Sequence, residues 1–408
     1  MRIINRTIFI LSMVSLLADV ASEMLYPVIP VYLQEIGFSV FMIGILEGLV
    51  NFTAGISKGY FGKKSDERGL RLPFVKLGYL LSNLSKPMMA IFTLPAWIFF
   101  VRTLDRLGKG VRTAARDALL SQQATPQTKA RVFGFHRSMD TVGAAIGPVI
   151  ALVFLFYFPG NYKMLFYLAF FPGIIAILLI FLLKEKKQPA STLGKGNFFS
   201  YFKYWKIASP EFRSIVPGLL VFALFNSSDI FLLLVTKQVL NGRTLTILGT
   251  TFNSDTITIA AYILYNLVYA ACSYPMGVIA DHLGYRKVII FGFLIFAGVY
   301  AGFAFVESIY VIFLLFSIYG LYAAATEGVI KAWITNLSKN EETATAVGFY
   351  TSCESICTLL ASGIAGAIWT NAGHAATFIS TSSITLIVCI YFIFRSSKHE
   401  TGIVLEQL

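Results

Sequence analysis

The segment Gly277-Val278-Ile279-Ala280-Asp281-His282-Leu283-Gly284-Tyr285-Arg286-Lys287 separates two long apolar runs. A weaker copy, Gly62-Lys63-Lys64-Ser65-Asp66-Glu67-Arg68-Gly69-Leu70-Arg71, separates two others, 215 residues earlier (62 to 277). Two further landmarks recur at similar offsets. Ser22-Glu23 returns as Ser228-Asp229, 206 residues on, and Gly134-Phe135 with Asp140 returns as Gly348-Phe349 with Glu354, 214 residues on. Self-similarity at one long period means two copies of one structural unit. Within each loop the glycines permit a tight turn with positive φ. The aspartate can accept hydrogen bonds at a neighbouring helix N-terminus, where the dipole favours an anion.

Outward from these loops the composition is that of a chain solvated by lipid. Of 408 residues, 56% are hydrophobic, 15% aromatic and only 13% charged, about half the charge fraction of a soluble domain. The net charge of +12 sits between apolar runs, not on one polar face, which argues against nucleic acid as a partner. No His or Cys grouping has metal-ligand spacing, and nothing calls for a cofactor. Cys353 and Cys357, one helical turn apart, are poorly placed for a disulfide. Arg2 and Arg6 precede an apolar run that carries Asp19 and Glu23 and no small-residue cleavage site, so it reads as a retained first span.

About twelve runs reach the roughly twenty apolar residues a bilayer crossing needs: near 8–34, 40–61, 73–95, 97–121, 131–158, 162–183, 213–239, 255–280, 287–306, 308–335, 342–370 and 374–394. Basic residues of alternate loops (Lys63, Lys64, Arg68, Arg71, Lys129, Arg131, Lys184, Lys186, Lys187, Arg286, Lys287) face Lys163 and Arg243 alone on the other side. The positive-inside rule then puts both termini in the cytoplasm and the chain in a cytoplasmic (inner) membrane. The longest break splits the spans six and six: an N-terminal bundle 1–183, a linker 184–212, a C-terminal bundle 213–395 and a tail 396–408. In the linker, Phe198, Phe199, Phe202 and Trp205 at helical spacing beside Lys203 and Lys206 suit either an amphipathic helix in the interface or a basic tether.

At these loops the chain resembles the major facilitator superfamily, over essentially its whole length. Gly277–Lys287 is similar to that family's G-x-x-x-D-[RK]-x-G-x-[RK]-[RK] loop, with His282 in place of the first basic residue; in the first copy Glu67 takes that position. Gly143-Ala144-Ala145-Ile146-Gly147-Pro148 resembles the family's antiporter signature, although G-x-x-x-G also serves plain helix packing. The resemblance implies an all-α polytopic protein of two pseudo-symmetric six-helix bundles. It also implies that the first and fourth spans of each half line a central cavity. Gly62, Asp66, Arg71, Gly277, Asp281, Arg286 and Lys287, with Asp140 and Glu354, become candidate gating residues. Gly143, Gly147 and Pro148 become helix-packing candidates.

Charges inside spans are costly, about 2.5–3.5 kcal/mol each on insertion scales, and so face protein or a wet cavity. Asp19 and Glu23 share one helix face; with Asp229 and Glu327 they are candidates for carrying protons. Arg102, Arg106, Lys109, Arg112 and Arg116 step by three or four and form one basic stripe. Arg102, Arg106, Lys109 and Arg112, with Lys331, are candidates for binding an anion. Alternatively Arg112 and Arg116 snorkel to the interface, and Arg102 and Arg106 pair with Asp19, Glu23, Asp105 or Asp117. Glu327 and Lys331, four apart, can pair with each other.

The expectation is a monomeric secondary transporter, not an enzyme, since no nucleophile–base set stands out. It would move protons and a small organic anion such as a polycarboxylate metabolite or siderophore, preferably outward. Proton-coupled efflux of hydrophobic or cationic drugs and a non-transporting membrane receptor or assembly factor are the alternatives.

Overall fold

In hydrocarbon every backbone N–H and C=O must find its partner within the segment, which makes helices of apolar runs. The computed structural model describes residues 3–189, 197–227, 229–240, 245–247, 250–252 and 254–395. Ser228, Arg243, part of the linker and the tail from 396 lie outside the described residues.

The first half comprises α1 (Arg6–Glu23), α2 (Ile29–Glu35), α3 (Val40–Arg68), α4 (Leu72–Met88), α5 (Pro95–Gln122), α6 (Lys129–Tyr157) and α7 (Tyr162–Phe181). Starts are marked by side-chain caps or by proline in the first turn. Asn5, Ser39 and Asn161 accept from the backbone of α1, α3 and α7, and α4 and α5 carry an early proline. Within the linker, Ser200–Lys203 form a 3-10 turn and α8 (Tyr204–Ile207) one α-helical turn. Tyr201 and Tyr204 are buried there, and Trp205 stacks on Phe349.

The second half comprises α9 (Pro210–Phe225), α10 (Ile230–Val239), α11 (Ser254–Leu283), α12 (Tyr285–Ala304), α13 (Ile309–Asn336) and α14 (Thr343–Phe394). Two features differ from the run-by-run reading. The first and seventh spans are each broken, between Glu23 and Ile29 and between Phe225 and Ile230, so each is two helices end to end. Pro27 lies in the first break. The eleventh and twelfth spans are two helices, written together as α14, that meet at a non-helical Gly373 with φ +85° and ψ 170°, where the run-by-run reading separates them. Lastly, the loop before α11 contains an antiparallel pair, β1 (Leu245–Ile247) and β2 (Thr250–Phe252), with Leu245 opposite Phe252.

Among the described residues, six helices are apolar enough to cross a membrane by composition and length. The remaining spans are richer in charge, broken or shorter, such as α5, the α1–α2 pair and the 17-residue α4. Inside the first half α1 packs on α6 and α7, and α4 on α5 and α7. In the second, α13 packs on α11 and α12, and α14 on α9 and α12. The halves meet through two equivalent pairs, α6 with α11 and α3 with α14. Each is the fifth span of one half against the second span of the other, as an approximate two-fold axis along the membrane normal requires.

The glycines of the fifth span serve packing. A Cβ built on Gly147 would stand 2.7 Å from both the Met24 nitrogen and the Val20 carbonyl oxygen, and one on Gly143 would meet the Leu16 carbonyl. Thus α6 rides directly on the α1 backbone. Gly147→Leu is expected to cost about 1–3 kcal/mol through forced separation of these helices. Thermal unfolding of the purified protein in detergent should register this as a clearly lowered Tm.

Candidate functional site

The two repeated loops perform the same act on opposite halves. Asp66, at the end of α3, accepts from the backbone N–H and the hydroxyl of Thr345 at 2.7 and 2.9 Å, in the first turn of α14. Arg71 grips the other oxygen at 2.9 Å and also donates to the Asn340 carbonyl. Asp281, at the end of α11, accepts from the backbone N–H groups of Ala130 and Arg131 at 2.9 and 3.1 Å, in the first turn of α6. The Arg131 guanidinium adds a contact at 2.8 Å. Each carboxylate therefore satisfies otherwise orphaned N–H groups and faces the positive end of a helix dipole across the interface.

Two loop details correct the reading from spacing. Positive φ belongs to the second glycine of each copy, Gly69 at +63° and Gly284 at +92°. Gly62 and Gly277 are helical and lie against the Ala344 and Ala130 carbonyls, where a side chain would hold the halves apart. Arg286 does not follow Arg71 across the interface. It donates to the Phe392 and Ile393 carbonyls of its own half, capping the end of α14, and Lys287 is exposed.

Beyond these loops, two adjoining cavities of about 540 and 350 Å³ share Lys58, Lys109, Glu327, Lys331 and Glu354 in their walls and form one chamber between the halves. Asp19, Glu23, Arg106, Arg112, Asp140 and Asp229 also face it. Arg102 opens instead onto a small side pocket that it shares with Glu23, Lys86, Asp105 and Arg106. The broken first and seventh spans explain the placing of two acids: Glu23 ends α1 and Asp229 immediately precedes α10, each where the helix is interrupted. Tyr319 donates to Asp229 at 2.7 Å and Tyr350 to Glu354 at 2.9 Å.

Glu327 and Lys331 do not pair with each other. Glu327 takes the guanidinium of Arg137 from the opposite half, and Lys331 lies 3.2 Å from Asp117, also across the interface. Arg137 in turn holds Asp140 at 2.7 Å, and Ser15 donates to Asp140 at 2.5 Å. Among the described residues Asp140 therefore bonds within its own half, and its link to the other runs through Arg137. Lys58 approaches Ser355 of the second half at 3.4 Å.

The basic stripe divides. Arg112 and Arg116 do not snorkel; both are buried. Arg112 lies 4.3 Å over the Tyr79 ring and donates to Ser82, while Arg116 pairs with Asp117 at 3.1 Å and donates to Ser15. Arg102 lies 3.9 Å from Asp105. Arg106 and Lys109 face the chamber.

Spacing alone overlooked Lys58 and Lys86, lone cations inside apolar runs that the cost of burying charge would have flagged. It also overlooked Tyr262, Tyr265 and Tyr269, whose steps of three and four put them on one face of α11. Among the described residues no group of three or more His, Cys, Asp or Glu is placed to hold a metal.

Comparison with known proteins agrees with this architecture. The family model described as Major Facilitator Superfamily matches residues 11–252 and 240–406. An MFS-type transporter of Methanocaldococcus jannaschii is 31% identical over 395 residues, 96% of each chain. The quinolone resistance protein NorA of Staphylococcus aureus is 24% identical over 47% of this chain and 48% of its own. Among solved structures, the human organic anion transporter MFSD10 superposes with a TM-score of 0.79 at 16% identity, covering 95% of this chain and 99% of that one. The Escherichia coli fucose:proton symporter FucP gives 0.74 at 13%, covering 96% and 98%. The chain belongs to the major facilitator superfamily. It is a multi-pass membrane transporter of small solutes and not an enzyme.

Burial pushes the Asp66 carboxyl up to about 6 from an ordinary 3.8, against the opposing pull of Arg71 and Thr345. Burial also raises Asp281, opposed by Arg131. A group whose value is raised in the closed contact supports that contact fully below pH 3.8 and loses the support as pH rises through about 6. For an Ala346→Cys probe in a background without the native cysteines, the thiol-labelling rate divided by that of the same probe in unfolded protein, which removes the thiolate's own pH dependence, should rise roughly tenfold between pH 5 and 7. Asp66→Asn should flatten that dependence.

Proposed function

We propose that this protein is a proton-coupled secondary transporter that exports a small organic anion, of the polycarboxylate metabolite or siderophore kind, by alternating access. The observation that carries the reading is the pair Arg106 and Lys109, which face the chamber between the halves beside the carboxylates of Asp19 and Glu23. A guanidinium with an ammonium one turn away suits a carboxylate-bearing solute. Arg102 extends the same stripe into the side pocket, and Arg112 and Lys331 flank it.

Proton coupling rests on Asp19 and Glu23, four residues apart on α1 in a chamber shared with cations, with Asp229 and Glu327 as further carriers. Binding of a proton or of the anion then alters the same charge balance, which is how one gradient drives the other solute. The basic loops support a cytoplasmic location for both termini and for the Asp66 and Asp281 contacts, in an inner membrane. Among the described residues the bonds that join the halves concentrate on that side, so this arrangement reads as closed inward. Gly62, Arg71 and Gly277 belong to that gate. The working unit is one chain of two bundles, 1–183 and 213–395, bridged by the linker.

One observation favours a second reading, efflux of hydrophobic or cationic drugs: the partial likeness to NorA, a quinolone resistance protein, over less than half of the chain. Flux into proteoliposomes separates the two. Arg106→Gln should lower transport of an organic anion such as citrate by at least about tenfold and leave cation efflux nearly intact. Glu23→Gln should abolish the pH dependence of whichever flux is found. Unchanged pH-dependent transport in that variant removes Glu23 as the proton carrier.

A further inference from the structure

The two walls of the chamber differ in chemistry. Lining residues of the first half bring six cations, Lys58, Arg106, Lys109, Arg112, Arg116 and Arg137, against three carboxylates. The second half brings one cation, Lys331, against Asp229, Glu327 and Glu354, and it brings all five lining tyrosines. Some of this charge is neutralised in pairs: Arg137 with Asp140 and Glu327, Lys331 with Asp117, Arg116 with Asp117. Asp229 is different. Its hydrogen-bond partner is the neutral Tyr319 hydroxyl, its charged neighbour is another carboxylate, Glu327, and no salt bridge to it occurs among the described residues.

Around Asp229 the rings of α11 form a row. Tyr262 and Tyr265 have centroids 5.6 Å apart, Tyr265 and Tyr269 5.9 Å, and Tyr265 and Tyr319 5.1 Å. Tyr262, Tyr265 and Tyr269 all face the chamber. The row already meets a cation at one end, where the Arg137 guanidinium donates to the Tyr269 hydroxyl and lies 5.4 Å from the ring centroid. An acid that shares a cavity wall with an aromatic row is an arrangement that can recognise an organic ammonium group, through ion pairing and the ring faces together.

We infer that the solute is an aromatic ampholyte, its carboxylate held by Arg106 and Lys109 on the first half and its ammonium group held by Asp229 with Tyr262 and Tyr265 on the second. This rests on the transporter reading above and keeps its anion subsite at Arg106 and Lys109, but replaces the polycarboxylate with a solute that carries an ammonium group as well. It also gives the solute a mechanical part. A molecule that engages opposite charges on the two halves ties them together, whereas a simple anion engages one half only.

The test uses the full chain in detergent and three matched probes: benzoate, benzylamine and 4-(aminomethyl)benzoate, with affinity measured by calorimetry. The ampholyte should bind at least about tenfold more tightly than either single-charge probe. Asp229→Asn should bring the ratio of ampholyte to benzoate affinity to about one, and Arg106→Gln the ratio of ampholyte to benzylamine. Tyr262→Phe should keep the preference and Tyr262→Ala lose it, both with wild-type Tm, which distinguishes a ring face from a structural role. Benzoate binding as tightly as the ampholyte, with no effect of Asp229→Asn on the ratio, would overturn the cation subsite and leave the anion reading standing. Benzylamine binding best, indifferent to Arg106→Gln, would overturn both. Failure of all three probes to bind at millimolar concentration would overturn the ampholyte assignment.

Discussion

Charge inside a membrane governs this structure. An ionised group facing lipid is unaffordable in a protein of marginal stability, so each must be paired, bonded or placed in a shared wet space. The chain uses all three solutions. Arg112 and Arg116 are absorbed by Tyr79, Ser82, Ser15 and Asp117 within one bundle. Arg137, Glu327, Lys331 and Asp117 pair across the two bundles. Arg106, Lys109, Glu23 and Asp229 are left to the chamber.

If the halves close on one side as proposed, the cross-bundle pairs and the two loop aspartates would make that closure a matter of electrostatics at helix ends. Asp66 reaches the first turn of α14 and Asp281 the first turn of α6. Both contacts are short, directional and confined to the interface, so they can be lost without disturbing either bundle. The apolar packing that holds each bundle together is separate, as the close approach of α6 to α1 at Gly143 and Gly147 illustrates. Rigid halves with a severable polar seam are the mechanical requirement for alternating access.

Much of the fold was legible in order. The repeated loop, the lengths of the apolar runs and the placing of basic residues led to twelve spans in two halves. The aspartates were correctly read as caps for neighbouring helices. Individual partners were less legible. The spacing of Glu327 and Lys331 suggested a local pair, and the stripe on α5 suggested snorkelling arginines. Both inferences treated a helix alone and failed because facing helices offered partners, Arg137 and Asp117 for the first pair and Tyr79, Ser82 and Ser15 for the arginines, with Asp117 beside Arg116 on α5 itself. The aromatic row on α11 was visible as a step of three and four, but tyrosines in an apolar run gain meaning only beside an acid such as Asp229, which among the described residues has no salt bridge.

By itself the sequence determined the environment, the number of crossings, the duplication and the set of costly groups, because hydropathy, charge and period are properties of a chain read along its length. Tertiary structure decided which of those groups meet. It broke the first and seventh spans beside Glu23 and Asp229, moved positive φ to Gly69 and Gly284, kept Arg286 within its own half, and set a cationic wall opposite a tyrosine-lined one. The physical reason is that pairing across an interface depends on the relative placement of two bundles, and no periodicity within one helix encodes it.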